Sequence, residues 1–256
     1  MSYTTNIKEE ISKIENTKSE IIAELAGFIR NNGAITENKI TLTTENITTV
    51  ERIKYFLKNV YEIETEITTK DNMNFSKNEL YALEIETKVN LVLQDIGLID
   101  KNNQPLETLP TYIIGANEEI RAYLRGVFLC CGSINDPKTS RYHMELLIST
   151  PEEAVFVQKL LNIFDLNAKI LNRDKGYMIY LKEAEKISDY IKILGANEAV
   201  LYFENVRIYR EQKNKTNRLN NCEQANIDKV VATATKQLEQ IKIIEETSSV
   251  DLLDDK

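Results

Sequence analysis

The chain has 256 residues, 42% hydrophobic and 28% charged, with no Trp and one His, which suits a globular protein of one or two domains with a sizeable core. Its apolar runs are too short to span a membrane, MSYTTNIKEE lacks a signal-peptide layout, and three Cys, two adjacent, cannot build a disulfide framework, so a reducing cytoplasm is the expected compartment. The net charge of −8 argues against wrapping nucleic acid over the whole surface and leaves room for a local basic patch.

Ile7, Ile11 and Ile14 recur at helical spacing and predict a helix over residues 5–15. A second helix, 19–31, carries Ile22, Leu25, Ala26 and Ile29 on one face and stops at Asn32-Gly33, where Gly accepts a positive φ. Ile40 and Leu42 alternate with Lys39, Thr41 and Thr43, the pattern of a half-buried strand. A helix at 46–60, strands at 62–69 and 79–86, and a short helix at 88–96 follow, and Pro105 and Pro110 mark a linker. The same order then restarts. A helix at 117–130 ends at Gly132-Ser133, a strand runs over 142–149, and Thr150-Pro151-Glu152-Glu153 opens a helix by capping, fixed φ and dipole. Strands at 168–173 and 176–182 and a helix ending at Gly195 complete the second unit. Residues 199–210 read as helix, 211–221 as a polar, Asn-rich connector, and 224–246 as a long helix. The acidic end, 245–256, reads as frayed.

The order helix, strand, helix, strand, strand, helix therefore occurs twice, with Gly33 and Gly132 lying 99 residues apart. Each half alone would expose a sheet face and a helix stripe, so the two are expected to pack together. The matching helix ends read Leu25-Ala26-Gly27-Phe28 and Leu124-Arg125-Gly126-Val127. A mid-helix Gly costs roughly 1 kcal/mol against Ala, so its presence at the same place in both points to close helix approach.

These ends resemble the LAGLIDADG motif of homing endonucleases. The whole chain resembles the WhiA family of bacterial regulators, through Arg121-Ala122-Tyr123-Leu124-Arg125-Gly126-Val127-Phe128, Gly132-Ser133-Ile134 and Asn217-Arg218-Leu219-Asn220-Asn221-Cys222-Glu223-Gln224-Ala225-Asn226. The resemblance implies an α+β fold of tandem LAGLIDADG-like repeats: two curved antiparallel sheets around two central packed helices, followed by a helical C-terminal segment. The divisions expected are 1–104, 105–198, a helical linker at 199–246 and an acidic tail at 247–256. In the nucleases the acidic residue before the final Gly of each motif holds a divalent metal. Here those positions are Asn32 and Cys131, a neutral amide and a thiol, poor ligands for a hard cation. No catalytic residue, metal or cofactor is therefore expected, and no nuclease activity.

Alternation places Glu62, Glu64, Glu66, Glu84 and Glu86 on the polar face of the first half, which would repel phosphate. The second half is mixed, with Lys169, Arg173 and Lys182 beside His143 and Glu145. The basic candidate is 205–220, where Arg207, Arg210, Lys213, Lys215 and Arg218 stand against Glu211; its rival reading is a solvated connector. In the family a C-terminal helix-turn-helix domain supplies most DNA recognition. Helix 224–246 reads as its lead-in, and the domain itself is expected to be absent from this chain. His143 has no second His to form a metal or acid–base pair, and no Gly-rich phosphate loop, nucleophile elbow or zinc spacing occurs.

The function implied is a non-enzymatic, cytoplasmic, nucleoid-associated regulator of transcription, cell division, chromosome segregation or sporulation. Duplex DNA would be its partner, a regulatory protein a further one, and a monomer with internal pseudo-two-fold symmetry its state. The rivals are a protein-interaction module without DNA contact and an active LAGLIDADG endonuclease.

Overall fold

A computed structural model describes residues 2–36, 38–70, 79–106, 108–139, 141–174 and 176–247. It contains two compact units, 1–205 and 206–256. In the first, α1 (Tyr3–Ile11) precedes two copies of one motif. The first copy is α2 (Lys18–Asn32), β1 (Ala34–Thr36), β2 (Lys39–Thr44), α3 (Ile47–Tyr61), β3 (Ile67–Lys70), β4 (Leu80–Ile85) and α4 (Val89–Asp95). The second is α5 (Asn117–Cys131), β5 (Gly132–Ile134), β6 (Met144–Ile148), α6 (Pro151–Ile163), β7 (Lys169–Arg173), β8 (Gly176–Leu181) and α7 (Ala184–Leu194). Each copy forms a four-stranded antiparallel sheet, in orders β1-β2-β4-β3 and β5-β6-β8-β7.

Period-two alternation sets which sheet face is buried. Ile40, Leu42, Leu83 and Ile85 in the first sheet and Met144, Leu146, Ile148 and Ile179 in the second lie in one continuous core. Between the halves α2 and α5 run along each other, burying Leu25, Ala26, Phe28 and Ile29 against Leu124, Val127, Phe128 and Leu129. Local chemistry starts these elements as the sequence predicts: Thr17 and Glu20 form a capping box on α2, and Thr150 caps α6 ahead of Pro151.

Several expectations change. The first helix spans Tyr3–Ile11 rather than 5–15, because Ser2 caps it and Ser12 closes it through Lys8 and Glu10 carbonyls. Strands β1 and β5 were not legible, being three residues each. The strand expected at 62–69 shortens to Ile67–Lys70. Glu62 adopts a left-handed conformation with φ 56° and caps α3, and 63–66 runs extended without ladder partners. The expected acidic face is reduced rather than continuous: Glu62, Glu64 and Glu66 lie before β3, Glu64 pairs with Lys58 at 2.8 Å, and Glu84 and Glu86 share Lys39 at 2.6 and 3.3 Å. Gly33 and Gly132 keep negative φ, −67° and −88°. Space explains them instead: a Cβ at Gly132 would lie 2.1 Å from the Phe128 ring, and one at Gly33 2.7 Å from the Ile29 carbonyl oxygen.

The connector expected at 211–221 is also overturned. Helix α8 runs unbroken over Asn197–Glu246, a span with no Gly or Pro to stop it. Its start packs in the first unit through Ala199, Val200 and Phe203. From 211 to 243 every residue is exposed. The tail beyond 247 lies outside the described residues.

Candidate nucleic-acid interface

The seam between the halves carries both motif glycines and the two positions, Asn32 and Cys131, that end the motif helices. A Cβ on Gly27 would sit 2.2 Å from the Tyr123 carbonyl oxygen, and one on Gly126 2.1 Å from that of Glu24. The two helix backbones thus touch at both glycines, and no other residue fits there. Asn32 ends α2, and its amide is fully engaged with β2: Nδ2 donates to the Thr43 carbonyl at 2.8 Å, and Oδ1 accepts from the Thr43 N–H at 2.8 Å. It extends the sheet as a backbone unit would. Cys131 donates its thiol to the Val127 carbonyl at 3.2 Å, and hydrogen bonding with Cys130 and burial raise that thiol well above its usual range. A committed amide and a protonated thiol do not fit a divalent cation, which needs anionic oxygen. Among the described residues no three His, Cys, Asp or Glu side chains could hold a metal.

Two buried polar clusters flank the seam, and sequence reading missed both. Glu24 of α2 is fully buried. It accepts from Arg52 Nε and Nη2 at 2.5 and 2.9 Å, from Arg125 Nε at 2.9 Å and from Asn16 at 2.7 Å. Arg52 also donates to the Ser12 and Ile14 carbonyls, and Arg125 to Asn16 and the Leu194 carbonyl. Burial pushes the Glu24 carboxyl up, but the hydrogen bonds and charges of Arg52 and Arg125 outweigh it and hold it below the ordinary carboxylate range. On the other side, Glu153 of α6 receives Arg30 at 3.1 Å, Asn31 at 3.4 Å and the Tyr123 hydroxyl. The available signal was a charged residue, Glu24 or Arg125, on a helix face otherwise apolar.

The sheet faces turned away from the core differ. The first offers Thr41, Thr43 and Thr68 with Glu84, which shares Lys39 with Glu86. The second has Glu145, Tyr180 and Lys169 in one cross-strand row and Leu147, Met178 and Leu171 in the next. Lys182 and His143, expected on strands, lie one residue beyond β8 and one before β6, and His143 bonds Glu145 at 3.1 Å. A groove of about 630 Å³ opens on this face, lined by Arg141, His143, Leu171, Arg173, Tyr180 and Lys182 among others.

The sequence-predicted basic residues all lie on α8 in the second unit. At about 100° per residue, Arg207, Arg210 and Arg218 fall within an arc of about 80°, with Lys213 and Lys215 flanking it by about 60° on either side. Arg207 meets Glu211 at 3.3 Å, an exposed pair of about 0–1 kcal/mol that a phosphate can replace. Lys213, Lys215 and Arg218 are exposed. Further along, Ile227, Val230, Val231, Leu238 and Ile241 form an exposed apolar stripe. No helix of the described residues is long and apolar enough to cross a membrane.

Three family models cover most of the chain: the WhiA N-terminal LAGLIDADG-like domain at 18–99, the WhiA LAGLIDADG-like domain at 120–213 and the WhiA C-terminal HTH domain at 216–256. The last match overturns the expectation that the helix-turn-helix domain is absent. Residues 224–246 fall within that match rather than leading up to it. A probable cell division protein WhiA of Exiguobacterium sibiricum is 39% identical over 261 residues, covering 100% of this chain and 82% of that protein. The Staphylococcus haemolyticus protein of the same name is 40% identical over 260 residues, with 100% and 82% coverage. In fold the chain is similar to full-length DUF199/WhiA from Thermatoga maritima, with a TM-score of 0.73 at 20% identity, covering 99% of this chain and 83% of that one. An N-terminal LAGLIDADG domain of DUF199/WhiA gives a TM-score of 0.61 at 22% identity, covering 75% and 89%.

Proposed function

The chain belongs to the WhiA family, and from that premise we propose that it is a non-enzymatic DNA-associated regulator, cytoplasmic and bound to the nucleoid, acting in cell division or chromosome segregation, and in sporulation where the lineage sporulates. The divisions 1–104 and 105–198 serve as a scaffold, a monomer with internal pseudo-two-fold symmetry, and the remainder reaches duplex DNA. The observation that carries this reading is the basic arc of Arg207, Arg210 and Arg218, flanked by Lys213 and Lys215, on the helix that runs into the segment matched by the helix-turn-helix model. Cationic side chains at helical spacing fit the regular phosphates of a duplex and make binding depend on salt. Absence of cleavage is supported by Asn32 and Cys131, whose polar groups are spent on Thr43 and Val127.

Duplex binding measured across a salt series tests it. Replacing Arg207, Arg210 and Arg218 with Ala should weaken binding and flatten the log–log salt slope by about 1 per lost phosphate contact. An unchanged slope refutes the assignment. The second reading, a protein-docking module, is favoured by the exposed stripe of Ile227, Val230 and Leu238. It would stand if no duplex is bound even at low salt.

A further inference from the structure

We propose that the outward face of the second sheet is a site for an unpaired nucleic-acid strand, separate from the duplex-binding arc on α8. Three observations on this one face carry it.

The first is charge. In a chain of net charge −8, the groove between Arg141, Arg173 and Lys182 has three fixed cations in its lining and no carboxylate. Among the described residues none of these three, nor the adjacent Lys169, forms an ion pair, whereas the cation of the first sheet, Lys39, is bound by two glutamates. Glu145, in the cross-strand row of Tyr180 and Lys169, bonds His143 at 3.1 Å. The groove therefore offers three cations without ion-pair partners to an anion arriving from solvent.

The second is a pair of near-parallel rings among those cations. Tyr180 and His143 lie with ring centroids 6.3 Å apart and planes at 25°, and Lys182 Nζ sits 4.8 Å over the Tyr180 ring. An exposed cation–π contact of this kind is weak. A nucleobase can take the lysine's place on the ring while the ammonium moves to the phosphate of the same nucleotide.

The third is exposed apolar area beside the rings: Leu147 and Leu171 are 47% and 45% exposed on the same face. Base faces are hidden inside a duplex, which shows a protein only base edges and phosphates; in a single strand they are open to stacking and apolar contact. Rings and leucines at the centre with cations around them match the open strand. The groove volume, about 630 Å³, lies in the range that encloses small ligands, and this suits individual nucleotides more than a helix.

The test uses the whole chain and fluorescein-labelled oligothymidylate, oligouridylate and a duplex of mixed sequence at low salt. Both single strands should bind, with preference between them reporting whether DNA or RNA is the source. Tyr180→Ala should weaken single-strand binding about tenfold, and so should the surface double variant Arg173→Glu/Lys182→Glu, both sparing duplex binding. Replacing Arg207, Arg210 and Arg218 should do the reverse, so failure of the α8 reading and failure of this one remain distinct. Single strands that do not bind, that bind the Tyr180 and Arg173/Lys182 variants as tightly as the parent, or that are lost with the α8 arginines would each overturn the proposal.

Discussion

At Asn32 one amide replaces what in a nuclease would be a metal ligand and at the same time joins α2 to β2. Its two 2.8 Å bonds need a donor and an acceptor on one planar group, which a carboxylate lacks. Asn32→Asp should therefore lower stability by about 1–3 kcal/mol, since the Thr43 carbonyl loses its donor and faces a negative charge. It should not restore nicking of supercoiled plasmid with Mg²⁺. Calorimetry and a gel assay check the two halves of that expectation. Glu24 is the second decisive residue. Its carboxyl is held below its usual value of 4.5, so its contribution is complete above that pH and fades as the pH falls toward the folded-state value. Glu24→Gln should cost about 3–5 kcal/mol by leaving two buried guanidiniums without a counter-charge, and should flatten the acid limb of a denaturation-versus-pH curve. Such residues were hard to read from sequence because partner and carboxylate are far apart: Arg125 lies 101 residues from Glu24.

Among elements, the seam helices α2 and α5 are the most sharply specified. Gly126→Ala would place a methyl 2.1 Å from the Glu24 carbonyl oxygen, backbone that cannot swing aside. A loss of about 1–3 kcal/mol or more is expected in thermal melts, as for an overfilled core; an unchanged Tm would contradict the close approach. Paired glycines 99 residues apart made this contact visible in sequence, as Ile40 and Leu42 made β2 visible. Elements whose signal was local were recovered. Those that depend on neighbours were not: β1 and β5 are too short to show alternation, and the segment before β3 alternates like a strand, burying Ile63 and Thr65, yet finds no ladder partner. For α8, Asn-rich composition suggested a break, but weak helix propensity without Gly or Pro does not stop a helix.

On the scale of the whole molecule, composition reported the net charge and hid its distribution. In the first half Glu84 and Glu86 share Lys39 and Glu64 meets Lys58, while cations gather on the second sheet and on the stretch of α8 from Arg207 to Arg218. The candidate site was partly legible for that reason: the α8 arginines form a run in sequence, whereas Arg141 and Tyr180, distant in sequence, meet only in the folded groove.

The buried clusters also decide who can pair with whom. By the register of the two glycines, a first half packed on another first half would set Ala26 where Arg125 belongs, leaving Glu24 with Arg52 as its one cation. Two second halves would bring Arg125 in with no Glu24 to meet it and strand Glu153 opposite Leu129 in place of Arg30. Opposite charges supplied across the joint make the unlike couple the favoured one and tax both like couples. Supplied as two separate polypeptides, the halves would sort into mixed heterodimers.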